Sequence, residues 1–318
     1  MIDLAAERPE NPDLLFVGGT GRSGTHVVSQ LLSNHSHWAR VPIEARFHVN
    51  PQGFPDLLAG QVTPEQFLRK LKRFWWRRIR AGEVAPVVAR RIAFGRKVRG
   101  LHKVVERDRF DAAVAEFERT APADLDLACR NLFLDLLWPI AAEAGKPGLI
   151  EMSCFTIAES PTLVRLFPDA KLIHTVRDGR DAGSSKVSKR QKRSHPRDAS
   201  EGIRWWEGRL RKIEAGVRDL PPGRLLTISL DELVDGDRED VYSQILDYLG
   251  IEDEPAMREF FDGEMSASAA HKERWREGLD EAQQEALVRD YEKTLDRLER
   301  ENFHCATQLR RAYEHQPT

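Results

Sequence analysis

The chain reads as an α/β protein: a central parallel sheet flanked by helices on both faces. Three observations predict this. Five short apolar runs have strand length, amphipathic helical patterns separate them, and 318 residues are ample for a large core. The runs are Leu14–Val17, Ala39–Ile43, Leu149–Met152, Lys171–Val176 and Leu225–Ser229.

The first run leads into FVGGTGRSGTHVVSQLL, residues 16–32. Val27, Val28, Leu31 and Leu32 share one helical face, so the segment is strand, loop, helix. Glycines let backbone N–H groups approach an anion closely, and a helix N-terminus adds partial positive charge. Phosphate is the natural guest; a plain strand-to-helix turn is the other reading. Against the nucleotide-binding pattern G-x-x-x-x-G-K-[ST], Gly19 and Gly24 have the right separation. Thr25 then stands in the lysine position and His26 in that of the magnesium-binding hydroxyl. The loop is P-loop-like, without the metal apparatus of triphosphate hydrolysis, and its cation is Arg22.

The second run leads into RVPIEARFH, which carries Glu44 and His48. Next, TPEQFLRKL opens a helix: Thr63 caps, Pro64 suits the first turn and Gln66 completes a capping box. Residues 69–103 hold thirteen Lys/Arg and one acid, Glu83, with Trp75 and Trp76 among them. They read as part of a basic helical insertion at about 50–125. Either this is a solvated helical face or it docks an acidic partner or a membrane surface. Asp124 to Ala144 and Glu281 to Arg300 are expected as long amphipathic helices, and Ser160-Pro161 as another helix start capped like Thr63-Pro64. The fourth run opens KLIHTVRDGRDAGSSKVSKR, residues 171–190, again strand, turn, helix. Arg177 falls at the strand end and Ser185 eight residues later, so a guanidinium fork and a hydroxyl could share one phosphate. A salt-bridged turn is the alternative, with Asp178 and Asp181 pairing arginines or capping the helix. Trp205 and Trp206 are read as core residues.

Composition narrows the classes. Lys+Arg 49 against Asp+Glu 51 gives no global bias toward nucleic acid. Cys129, Cys154 and Cys305 lie far apart, without metal-ligand spacing, and suit buried thiols in a reducing compartment. The start MIDLAAERPENPD lacks a signal core, and no apolar run approaches the ~20 residues of a spanning helix. The expectation is a cytoplasmic protein, peripheral to a membrane at most.

Together, GRSGT and RDGRDAGSS resemble the two donor-binding motifs of sulfotransferases that use 3′-phosphoadenosine 5′-phosphosulfate (PAPS), in the same order. FPDAKLIHTVRDGRD is similar to bacterial members, and LLTISLDELVDGDREDVYSQILDYLGI to the segment that follows the second motif. The arginine in the first motif, and Glu44-Ala45-Arg46 in place of an ETR run, resemble the tyrosylprotein branch. The resemblance covers residues 14–44 and 148–300. It implies that Gly21, Arg22, Ser23, Gly24, Thr25 and His26 hold the 5′-phosphate, while Arg177, Ser185 and Lys189 serve the 3′-phosphate. Lys272 or Arg274 would belong to a late basic loop over the nucleotide. Arg22 would neutralise the leaving group, since a guanidinium is a poor proton donor. Glu44 would be the general base, with His48 as rival and an ion pair to Arg46 or Arg40 as the structural alternative. One departure is Met152, where many members carry a lysine. The implied reaction is sulfuryl transfer from PAPS, without a metal, to a hydroxyl of a small molecule, glycan or lipid. All 318 residues would form one such domain. A P-loop kinase or NTPase, and a non-catalytic anion-binding protein, are the other readings.

Overall fold

The computed structural model describes residues 3–79, 98–188 and 196–315. In chain order, the elements used below are β1 (Asp13–Gly19), α1 (Thr25–Ser33), β2 (Trp38–Arg40), α2 (Pro64–Lys70), α3 (Arg107–Thr120), α4 (Leu125–Leu137), β3 (Gly148–Glu151), β4 (Lys171–Val176), α5 (Gly179–Val187), α6 (Ala199–Val217), β5 (Leu225–Ser229) and α7 (Glu281–Arg300). The strands form a five-stranded parallel sheet in the order β2-β3-β1-β4-β5. Leu14, Leu15, Phe16 and Val17 of β1 are all buried, as a strand covered on both faces requires. The crossovers leave β1 and β4 in opposite directions, so their carboxyl ends flank the point where such sheets bind ligands.

Compactness divides the chain into two units: Met1–Leu15, His37–Phe155 and Pro161–Ala170, and then Phe16–Ser36, Thr156–Ser160 and Lys171–Thr318. In the first, α2 starts as the sequence predicts: the Thr63 hydroxyl accepts from Gln66 N, and Gln66 returns a bond to Thr63 N. Such a cap is worth about 1 kcal/mol. After Lys70 the helix widens into a π turn, Leu71–Trp75. Trp75 is fully buried against Phe67, which also meets Phe54 and Phe117. Much of the expected solvated or docking face, residues 80–97, lies outside the described residues.

Three expectations need correction. The helix expected over Asp124 to Ala144 is two: α4, and a short helix Pro139–Glu143. Pro139 has no N–H to continue the ladder. The second strand stops at Arg40, before Val41 to Ile43. Ser160 does not cap its helix; a 3-10 turn, Ile157–Glu159, leads in, and the Ser160 hydroxyl donates back to Ile157 O.

In the second unit, α6 lies close against α5 through two glycines. A Cβ on Gly183 would stand 2.7 Å from the backbone of Gly202. Trp206, Trp275, Tyr291, Leu295 and Leu309 belong to the adjoining core. Arg180 is buried in it, under the rings of Trp275, Tyr291 and Tyr313 at 4.5, 4.8 and 5.2 Å. Asp178 neutralises it at 2.5 Å. Removing one partner of such a pair leaves a bare buried charge, at a cost of about 3–5 kcal/mol.

Candidate active site

The turn after β1 is shaped by two constraints, left-handed backbone and close packing. Gly21, Arg22 and Gly24 all have positive φ, at 81°, 67° and 88°. Left-handed residues in a turn that enters a helix N-terminus are among the conformations from which anion-binding nests are built. Gly24 caps α1 in the left-handed region, and a Cβ there would lie 2.7 Å from Leu230 Cδ2. Gly19 is glycine for another reason: a Cβ would collide with the Thr175 carbonyl and the Ser23 hydroxyl. Part of the glycine signal is therefore close packing rather than ligand approach.

Arg22 is the non-glycine member, and the left-handed conformation costs it about 1–2 kcal/mol. Contacts from the second motif hold it there. Its Nε donates to Ser185 Oγ at 2.8 Å, and its carbonyl accepts from Arg177 Nη1 at 3.3 Å. Ser23 Oγ meets Thr175 Oγ1 at 3.3 Å. Two motifs about 155 residues apart in sequence thus form one hydrogen-bonded assembly. The Ser23 hydroxyl is turned into the sheet, so the group Ser23 can offer an anion is its backbone N–H.

Arg177 is buried. Its Nη2 donates to the carbonyls of Ala270 and His271 at 2.7 and 2.9 Å, and Asp181 lies 3.6 Å away. Its Nε is buried with no hydrogen-bond partner among the described residues. One donor of the fork is therefore unused, which suits an anionic guest. Asp178 caps α5 by accepting from Arg180 N, and Asp181 accepts from Glu273 N and Trp275 N at 2.8 and 3.1 Å. Burial first, and then the charge of Asp178, push Asp181 up to about 6. The late loop is thereby fastened to the second motif. Within it, Lys272 pairs with Asp235 at 2.7 Å, while Arg274 is exposed beside Glu277. Lys189 lies outside the described residues.

The first unit holds a second polar cluster. Glu44 is ion-paired with Arg46, and Cys154 Sγ donates to Glu44 Oε1 at 2.9 Å. Cys154 is thus half-buried and in contact with a carboxylate, unlike the fully buried Cys129 and Cys305. Arg46 has φ 68°, and its N–H donates to Ser153 Oγ at 3.0 Å. Glu151 organises the layer below. It accepts from Ala45 N, Ser153 N and Ser153 Oγ, and lies 2.9 Å from His48 Nε2. Burial works against its charge, yet His48 and Ser153 outweigh it and hold the carboxyl below the usual range. His48, the rival base, is fully buried, edge-on to Phe47 and Phe133. Met152 is core. The sequence reading took Met152 as a missing lysine and Cys154 as a buried thiol, and passed over Glu151 and Ser153. The available signal was a run of polar residues at the carboxyl end of a buried strand.

Among the described residues, Glu232, Asp237 and His315 bring ligand atoms close enough for an ion. Arg311 already bridges Glu232 and Asp237. No described helix is long and apolar enough to cross a membrane.

Comparison with known proteins bears on this geometry. The sulfotransfer domain described as "Sulfotransferase family" matches residues 12–255. No curated protein matches. Among solved structures, the sulfotransferase domain from the Synechococcus PCC 7002 olefin synthase is 18% identical, with 90% of this chain and 96% of that one covered and a TM-score of 0.50. A sulfotransferase from Mycobacterium avium is 18% identical over 92% of this chain and 78% of its own, TM-score 0.45. Mouse sulfotransferase SULT7A1, complexed with PAP, is 10% identical over 96% and 92%, TM-score 0.46. The first of these supports the fold alone. The family match spans both donor motifs and well over half of the chain, and so the protein belongs to the sulfotransferase family, the enzymes of PAPS-dependent sulfuryl transfer.

Proposed function

We propose that the chain transfers the sulfuryl group by in-line displacement to an acceptor hydroxyl on a small molecule, glycan or lipid. The donor supplies the sulfuryl group and leaves as adenosine 3′,5′-bisphosphate. The N–H groups of Gly21, Ser23, Gly24, Thr25 and His26, with the Thr25 hydroxyl, hold its 5′-phosphate. Arg177 and Ser185 hold the 3′-phosphate. Arg22 stabilises the charge that grows on the bridging oxygen as the sulfur–oxygen bond breaks. Glu44 takes the acceptor proton, oriented by Arg46 and Cys154. His48 is assigned to positioning, through Glu151. Lys272 and Arg274 contribute positive field from the late loop, and Lys189 from the end of the second motif. The residues from about 50 to 125 form an insertion within one sulfotransferase domain, and the basic composition of 69–103 suits an acidic partner or an anionic surface.

The observation that carries the donor assignment is the hydrogen-bonded junction of Arg22, Ser185 and Arg177. Arg22 and Ser185 bond each other, so in this reading the cation and the 3′-phosphate serine work within reach of one donor. The test is transfer of radiolabelled sulfate from PAPS across phenols, saccharides, glycolipids and other alcohols, with excess EDTA present. Labelled product should form undiminished. Loss of activity that Mg²⁺ restores would contradict the metal-free mechanism and favour phosphoryl transfer.

A further inference from the structure

A cavity of about 760 Å³ lies within the first unit, between α2 with its π turn and the carboxyl end of α3. That volume falls inside the range of small-molecule sites, ~300–1,000 Å³. Its apolar lining includes Leu68, Phe117, Ala121 and Pro122. The floor is packed from below: Phe117 is buried against Phe67 at 5.5 Å and Phe67 against Trp75 at 6.0 Å between ring centroids.

The charged part of the lining is asymmetric. Lys72 is spent on Glu118 at 3.1 Å. Glu65 receives the Thr63 hydroxyl at 2.6 Å and acts on Arg69 only through space. Arg69 and Arg73 are exposed and make no ion pair among the described residues. Exposed arginines elsewhere, such as Arg107, Arg165 and Arg197, each hold a carboxylate. Helical spacing puts Arg69 and Arg73 on one side, and the π turn, closed by Trp76 N on Leu71 O at 2.9 Å, begins between them. Such turns recur at functional sites.

We propose that this pocket binds an anionic amphiphile, with one aliphatic or aromatic tail on the Leu68–Phe117 floor and a sulfate, phosphate or carboxylate head between Arg69 and Arg73. An apolar floor rewards each buried methylene, and the paired guanidinium groups select an oxyanion. This site is independent of the transfer chemistry.

The test titrates decyl sulfate, below its micellar concentration, into the full-length chain by calorimetry, with decanol and decyltrimethylammonium as comparisons. Decyl sulfate should bind one molecule per chain and at least about tenfold more tightly than the cation, as charge-assisted contacts require. The double variant Arg69→Glu/Arg73→Glu should lose about tenfold or more in decyl sulfate affinity and leave decanol unchanged. Arg69→Gln/Arg73→Gln should move the same way by less, which guards against a folding artefact. Ala121→Trp should fill the cavity and abolish binding of both ligands, with circular dichroism and transfer activity retained. Several equivalent molecules per chain, affinity indifferent to the arginine variants, or binding that requires anionic vesicles would each overturn the proposal.

Discussion

The two polar clusters of this enzyme are built on opposite plans. The donor loop is mostly backbone: residues 21, 22 and 24 are left-handed, and one buried guanidinium, Arg177, keeps an unused Nε. The Glu44 cluster is mostly side chain: carboxylate, guanidinium, thiol, hydroxyl and imidazole bond one another in two layers around Glu44 and Glu151. The difference teaches where specificity is stored. Beside the loop, the buried Arg177 Nε is left over for a ligand. The Glu44 cluster has its polar groups engaged with one another, which suits the aiming of the proposed base.

That contrast can be broken first at Glu44. Glu44→Gln keeps the shape and removes the basicity. The turnover rate with a hydroxyl acceptor should fall by about 10²–10⁴, the usual worth of a positioned base, while donor affinity hardly changes. A near-normal rate would remove Glu44 from the chemistry. On the loop side, Arg22→Ala should lower the rate by about 10²–10³, the scale of one lost charge-stabilising group. It should also weaken donor binding, because Ser185 loses its partner. A loss confined to KM would show Arg22 to be a binding residue only.

A third prediction concerns pH and belongs to the loop side alone. Asp181 sits at about 6 in the folded chain, above the ~3.9 of an unfolded aspartate. The folded state therefore holds more protons than the unfolded state between those values. Stability from this carboxyl is greatest below about pH 4, is lost as pH rises to about 6, and is level above that. The linkage amounts to about 2–3 kcal/mol. Denaturant midpoints at pH 5 and pH 7 should differ less in Asp181→Asn than in the wild type. An identical pH slope in both would contradict the assignment. The smallest effect is expected from Cys154→Ala, which removes a single weak donor to Glu44. The rate should drop about fivefold, the scale of one hydrogen bond of ~1 kcal/mol, with circular dichroism unchanged.

The same contrast explains what could be read in advance. Strands Lys171–Val176 and Leu225–Ser229 were legible to the residue, because apolar runs of that length between helical patterns have few other uses. The donor loop was legible because left-handed backbone needs glycine and therefore leaves a mark in the sequence. The Glu44 cluster was only half legible. Its hub, Glu151, is a carboxylate at the end of a buried strand, and nothing local tells it from a salt-bridged edge residue. Its partners Ala45 and His48 lie more than a hundred positions away. The burial of His48 was not legible for the same reason: it packs on Phe133, on a helix that enters the chain much later. Trp138-Pro139 did carry a local signal, the missing N–H, and the long helix was predicted across it regardless.

The central claim is that the junction of Arg22, Arg177 and Ser185 recognises a nucleotide with phosphates at both ends of its ribose, and calorimetry with two nucleotides tests it most directly. Adenosine 3′,5′-bisphosphate should bind more tightly than AMP by several kcal/mol, since charge-assisted hydrogen bonds at this junction are worth about 1.5–3 kcal/mol each. Arg177→Ala should erase most of that preference and barely alter AMP. A wild-type enzyme that binds AMP as well as the bisphosphate, or prefers Mg–ATP to both, would contradict the account.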